Sequence, residues 1–215
     1  MAEMNGTCIG LIADSHGNLE ATAEAIRVLK GRGARMFIHL GDFCDSIRRD
    51  PAAAMIRLFQ ENGVLAVKGN NDFSVERMLT DERRRPEPAG EQTIAYLRTV
   101  PFTLALNGLL FAHSLPYDSL RSFYEPIDTG DTQRAARLFN ELDFQLLFCG
   151  HSHLPILFRM ARGKVTREQL PLGERRLQDA DDRFIMIVGA ADEGECALYD
   201  TEARTYERIK IFSHT

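Results

Sequence analysis

The chain has no tryptophan and few cysteines: Cys8, Cys44, Cys149 and Cys196 are the only four among 215 residues. They form no CxxC pair and no tight framework, which argues against a disulfide scaffold and against a cysteine-rich zinc site. Cys8 and Cys149 lie in apolar runs, where a thiol is expected to act as a small buried hydrophobe. No apolar run approaches ~20 residues, so no segment is expected to span a bilayer. The opening stretch, MAEMNGTCIG, lacks the charged and long apolar regions of a signal peptide, so a cytoplasmic location is expected. A basic excess is missing too: Lys plus Arg is 26 against 31 for Asp plus Glu, a net charge of −5. That balance argues against a general binder of nucleic acid or membrane surfaces, while leaving room for a local basic patch. What remains is globular in composition, with 44% hydrophobic and 27% charged residues. A chain of this length buries roughly 70% of its unfolded surface, and one domain over residues 1–215 is the expectation. Composition leaves the oligomeric state open.

The first half alternates between strand and helix patterns. Residues 8–13 form a continuous apolar run suited to a strand buried on both faces. Asn18 can cap a helix through Ala25, Ile26 and Leu29 that stops at Gly31 or Gly33. Met36 to Leu40 reads as the next strand, a helix follows from Pro51 to near Gly63, and Val64 to Val67 is a third strand. Such an order implies right-handed crossovers and a parallel sheet. From Val75 to Pro88 the pattern lapses into a charged loop, and Glu91 to Arg98 resumes as a short helix. Asn107-Gly108 is a strong hairpin signal between Thr103–Leu106 and Leu109–Ala112. A helix from Thr132 to Leu142 leads to the strand Leu146–Cys149. Short strands are expected around 155–159, 183–188, 196–200 and 205–212. The sum is an α/β fold with mixed parallel and antiparallel strands.

Five polar clusters interrupt this pattern, each after a predicted strand: Asp14-Ser15-His16, Gly41-Asp42-Phe43-Cys44-Asp45, Gly69-Asn70-Asn71-Asp72, His113, and Gly150-His151-Ser152-His153. In open α/β sheets the carboxyl ends of strands are where ligands bind. Any one cluster arises readily by chance; all five in this order do not. Two residues apart on an extended backbone, Asp14 and His16 would point the same way, and so would His151 and His153. Mixed nitrogen and oxygen donors without thiolate suit Mn, Fe, Zn or a similar divalent ion.

With these motifs (DxH, GDxxD, GN-x-D, a lone His and GHxH) the whole chain resembles the calcineurin-like metallophosphoesterases, and in particular their small bacterial phosphodiesterase branch. The resemblance implies a double β-sandwich flanked by helices. It implies that Asp14, His16 and His153 hold one divalent ion, that Asn70, His113 and His151 hold a second, and that Asp42 bridges both. The implied reaction is phosphoester hydrolysis, of a phosphodiester above all, by a metal-bridging hydroxide acting on a small-molecule substrate. Two divalent ions, set against the Asp14 and Asp42 carboxylates and a hydroxide, leave about one positive charge, which attracts a phosphodiester even on an acidic protein. Two such ions roughly 3.5–4 Å apart can activate a shared water and clamp phosphoryl oxygens. The alternative is a non-catalytic metal-binding scaffold or interaction protein on the same fold. Relatives of that kind lose metal ligands, whereas every ligand position is filled here.

The chain departs from the family pattern in places. Where many members have His after the GN, to protonate the leaving oxygen with the second Asp of GDxxD orienting it, this chain has Asn71, with Asp45 still present. An amide is no general acid, so metal-bound water must protonate the leaving group, or the substrate must leave as a weak base. Ser114 follows His113 where Gly is usual, and Val188-Gly189-Ala190-Ala191 stands where small bacterial phosphodiesterases read NPGS. A protein phosphatase is disfavoured because GDFCDSI lacks the Arg-Gly of that branch, and 215 residues leave no room for the capping domain of a repair nuclease.

Weaker signals surround these motifs. His39 reads as a hydrogen-bonded core histidine rather than a residue behind the ligands, and His214 as solvated. Arg83, Arg84 and Arg85 read as a solvated loop. Arg49, with Arg48, is better placed to bind a substrate phosphate. Tyr117 and Tyr124 either stack on a substrate ring or pack their own loop.

Overall fold

The computed structural model describes residues 6–47, 52–81, 88–128, 132–177 and 181–211. Its strands form two six-stranded sheets. In the first, β1 (Cys8–Ile12), β2 (Met36–His39) and β3 (Val64–Ala66) run parallel. Three antiparallel strands extend it beyond β1: β11 (Glu195–Asp200), β12 (Thr205–Lys210) and β9 (Gly173–Arg176). In the second, β5 (Leu109–Ala112), β6 (Leu146–Cys149) and β10 (Arg183–Ile187) are parallel. β4 (Thr103–Leu106) flanks β5 on one side, and β7 (Ile156–Ala161) and β8 (Lys164–Gln169) follow β10 on the other.

Strand alternation explains why the sheets stack. Ile9, Leu11 and Ala13 face inward with Ile38 and Leu40, against Phe111, Phe148, Phe184 and Met186 of the second sheet. The opposite face of β1 turns Ile12 towards Ala25, Ile26 and Leu29 of α1 (Leu19–Gly31). Asn18 caps α1 as its sequence predicts, its side chain accepting from Ala21 N at 3.1 Å. Gly10 lets the helix settle, since a β-carbon there would lie 3.0 Å from Leu29 Cδ1. α2 (Ala52–Asn62), α3 (Asn70–Thr80) and α4 (Pro88–Thr99) complete the layer, burying Met55, Phe59 and Leu97 on the same side. α6 (Gln133–Glu141) covers the outer face of the second sheet through Ala135, Leu138 and Phe139, and the short α5 (Arg121–Tyr124) precedes it. Helix, sheet, sheet, helix is the flanked double sandwich that the motif resemblance implies.

Differences from the sequence reading have local causes. Residues 75–80, expected as loop, continue α3, a polar helix that buries only Asp72 and Val75 and so shows little apolar periodicity. β8 and β9 carry KVTREQ and GERR, mostly exposed, and form through backbone pairing at sheet edges rather than through a buried face. Cys8 is only half buried, with Sγ 3.5 Å from Asp200 Oδ2, while Cys149 is buried as expected. The expected helix start at Pro51, the arginines 48, 49 and 83–85, and His214 lie outside the described residues. No described helix is long and apolar enough to cross a membrane.

Candidate metal centre

The five polar clusters follow β1, β2, β3, β5 and β6, and the backbone joins their loops across both sheets. Asp14 N donates to Gly41 O and His16 N to Asp42 O, at 3.1 and 2.9 Å. Gly150 N reaches His113 O at 2.9 Å, and Ala191 N, after β10, reaches Ala13 O at 2.7 Å. The loops approach so closely because glycines precede the key residues. A β-carbon on Gly150 would fall 2.5 Å from Asp14 Oδ2, and one on Gly41 would fall 2.7 Å from His113 Nδ1.

Side chains of the predicted ligand residues converge at this junction. His16 Nε2 and His153 Nε2 are 3.1 Å apart, and His153 Nε2 lies 3.7 Å from Asp14 Oδ1. On the other side, His113 Nε2 lies 3.5 Å from Asp42 Oδ2, 3.0 Å from Asn70 Oδ1 and 3.1 Å from His151 Nδ1. Two groups of donor atoms within 4.8 Å of one another emerge: Asp14 with His16 and His153, and Asp14 with Asp42 and His113. The extended backbone expected for the DxH and HxH steps is not what aims them. Asp14, His16, Asp42, His151 and His153 have φ of 51°, 44°, 56°, 74° and 59°, in the left-handed region that non-glycine residues avoid. Kinks at these residues, rather than strand alternation, turn the donors inward, and such strain concentrates at functional sites.

The electrostatics of the site fit a cation. Asp14 is fully buried and belongs to both donor groups, and its Oδ1 takes no hydrogen bond among the described residues. Burial, and then the Asp42 carboxylate, push the Asp14 acid well above the usual carboxylate range. Burial holds the His113 imidazole below its ordinary value, and burial with His113 nearby brings His151 down to about 4. Buried carboxylates facing one another beside neutral imidazoles make a donor set for hard or borderline divalent ions.

Behind the donors stand residues whose roles the sequence did not disclose. Asp72 is buried and accepts from Asp42 N and Cys44 N, both at 2.8 Å, and from Gly69 N at 2.9 Å. Burial and the Asp42 charge raise its acid to about 7 against those three N–H groups. The closing acid of Gly69-Asn70-Asn71-Asp72 was visible as a motif, but its task, tying the β2 and β3 loops together, was not. His39 is a fully buried core histidine, as expected, and its Nε2 sits 2.8 Å from Ser15 Oγ, which Thr22 Oγ1 also meets at 2.8 Å. Asn71 N and Nδ2 donate to the Asp42 carboxylate at 2.8 and 2.7 Å, and its Oδ1 accepts from Ser46 Oγ at 2.6 Å. Ser46, which no motif marked, thus grips the position expected to face Asp45; Asp45 Oδ1 accepts from Ile47 N at 2.7 Å. Tyr117 donates to Glu141 Oε2 at the end of α6 at 2.7 Å, with Arg121 over the ring, whereas Tyr124 is exposed.

Comparisons with known proteins agree with this architecture. A metallophosphoesterase from Sphaerobacter thermophilus superposes with a TM-score of 0.76 at 22% identity, covering 98% of this chain and 90% of that one. A protein from Pyrococcus horikoshii OT3 gives 0.63 at 16% identity, with 95% and 87% covered. An archaeal phosphodiesterase gives 0.53 at 16% identity, with 95% and 99% covered. At such identities these likenesses show the fold. No curated protein sequence matches the chain significantly. The model of the calcineurin-like phosphoesterase superfamily domain, however, matches residues 8–172. With that match spanning most of the sequence, and two sheets delivering buried carboxylates and imidazoles to one junction, the chain belongs to the calcineurin-like phosphoesterase superfamily, a class of metal-dependent phosphoesterases.

Proposed function

We propose that the chain hydrolyses a small-molecule phosphoester, a phosphodiester in preference, at a centre for two divalent cations. Asp14, His16 and His153 would hold one ion, Asn70, His113 and His151 the other, and Asp42 both. The observation that carries this reading is that Asp14, shared by two groups of donors, has a buried Oδ1 with no hydrogen bond among the described residues. When bound, ions of this kind lower the pKa of water and neutralise phosphoryl oxygens. The chain's own residues set the geometry. His113 Nδ1 lies 2.9 Å from Leu40 O, so its proton belongs there and Nε2 keeps a free lone pair facing Asp42 and Asn70. Asp72 fixes the backbone of Asp42, and Asn71 orients the Asp42 carboxylate but has no proton to give a leaving group. Residues 1–215 are read as one domain, a reading supported by a core that both sheets share.

A screen of the metal-reconstituted protein over phosphomonoesters, phosphodiesters and dinucleoside polyphosphates tests the proposal. Diesters should be cleaved fastest, chelation should abolish turnover, and Mn or a similar divalent ion should restore it. Full activity in chelator, with metal analysis showing empty sites, would refute the two-ion reading. Metal uptake without hydrolysis of any class would favour a binding scaffold.

A further inference from the structure

We propose that Glu193 is a positioning residue for the Asp14, His16 and His153 cation site. Its carboxylate holds the proton of His153 on Nδ1, so that Nε2 meets the cation as a free lone pair. The inference rests on the two-ion reading above.

His153 Nδ1 lies 3.1 Å from Glu193 Oε1, while the opposite ring nitrogen points among the donors, 3.7 Å from Asp14 Oδ1. An imidazole can bind a metal through only the nitrogen that carries no proton, and a carboxylate at the other nitrogen decides which one that is. The Glu193 side chain is 58% exposed, so the contact depends on how firmly its backbone is placed.

That placement is firm. Glu193 N donates to Ala190 O, Ala191 N to Ala13 O, and Asp192 N to Asp14 O, at 3.2, 2.7 and 3.3 Å. The turn bearing Glu193 is therefore bonded to the strand end that bears Asp14. Past the turn, Arg208 clamps Glu195 with two bonds of 2.7 Å, and Ile211 N reaches Gly194 O at 2.8 Å. Gly189 is what admits the Glu195 carboxylate, since a β-carbon there would sit 2.1 Å from Oε2. The stretch Val188-Gly189-Ala190-Ala191 stands where small bacterial phosphodiesterases read NPGS, and Glu193 lies two residues beyond it.

The two halves of the centre are consequently unequal. His113 leans on a neutral carbonyl, that of Leu40, whereas His153 leans on a carboxylate, so a different kind of partner stands behind each ring. Removing Glu193 should weaken one cation step and spare the other.

Two measurements on the full chain decide the matter. Long-range ¹H–¹⁵N correlation of the metal-free protein should show His153 protonated at Nδ1, and Glu193→Ala should shift that tautomer. Zn²⁺ titration against a competing chelator should show one of two steps weakened about 10–100-fold in Glu193→Ala, with the other unchanged. Glu193→Gln, whose amide oxygen still accepts the proton, should keep the tautomer and fall between in affinity. An Nε2-protonated His153 in the wild type, or wild-type affinity in a folded Glu193→Ala, overturns the role of Glu193 and leaves the two-ion reading standing. No Zn²⁺ uptake by the wild type overturns both.

Discussion

Gly69 lies so close to Asp42 that a β-carbon on it would sit 2.2 Å from Asp42 Oδ1 and 2.4 Å from Asp42 N. The contact fixes where the Asp42 carboxylate can stand, because backbone blocks it on one side while Asn71 N binds it from another. Gly69→Ala must push Asp42 or the β3 loop aside. Overpacking of this kind typically costs ~1–3 kcal/mol, so the variant should fold with a lowered melting temperature. Its metal content should fall more than its stability; wild-type metal stoichiometry in the purified variant would show that Asp42 is not the shared ligand.

Asn71 leads to a leaving-group prediction. With no side-chain acid at this position, aryl phosphodiesters should turn over much faster than alkyl ones. Asn71→His, with Ser46 Oγ available as a partner in place of the present 2.6 Å contact, should narrow the gap for poor leaving groups. General acid catalysis is worth ~10²–10⁴-fold, so even a poorly oriented imidazole should be measurable. Equal wild-type rates on aryl and alkyl diesters, with chemistry rate-limiting, would mean that another acid serves the site.

His39 gives a pH dependence that can be isolated by difference. Burial lowers its folded-state value from 6.5 to about 3, so between these limits the unfolded chain binds a proton that the folded chain refuses. Stability from this residue is therefore complete above pH 6.5 and drains away as pH falls towards 3, by up to about 1.4 kcal/mol per pH unit. His39→Gln removes the linkage. Denaturant midpoints of chelated protein at pH 7, 6, 5 and 4 should show the variant gaining on the wild type with each step down; a constant difference would mean that burial does not shift His39.

Backbone strain can be read with a paired substitution at residue 16, where φ is 44°. Both His16→Gly and His16→Ala lose the imidazole, but only glycine enters the left-handed region freely. In chelator the glycine variant should be the more stable by ~1 kcal/mol, the reverse of the order in a helix. If alanine is the more stable, residue 16 is not held in the left-handed region in solution.

What the sequence disclosed follows from what each segment must bury. β1, β2 and β6 are apolar on both faces, and α1 carries its cap and its periodicity, so all could be placed from residue types alone. α3 could not, because it is anchored by Asp72 reaching back to Gly69 N rather than by an apolar stripe. β8 and β9 escaped because edge strands need no buried face. At the site, the residues that converge were legible from their motifs, but the left-handed kinks that aim them were not, since Asp and His do not announce such a backbone as glycine does. Ser46 and Glu193 were silent for a different reason: each meets its partner across the fold, through contacts that no local pattern encodes.

Asp14 and Asp42 ride on one sheet, His113 and His151 on the other, and the layer of Phe111, Phe148 and Met186 lies between. The gap across which the donors face one another is thus a gauge of how the two sheets are offset. Side chains deep in the sandwich, none of them among the donors, act as shims: thinning one, as in Phe148→Leu, would let the sheets slide and respace the donors. The hydrocarbon interior is in this sense the mechanical mount of the reactive edge, and its packing tolerance becomes the tolerance of the chemistry.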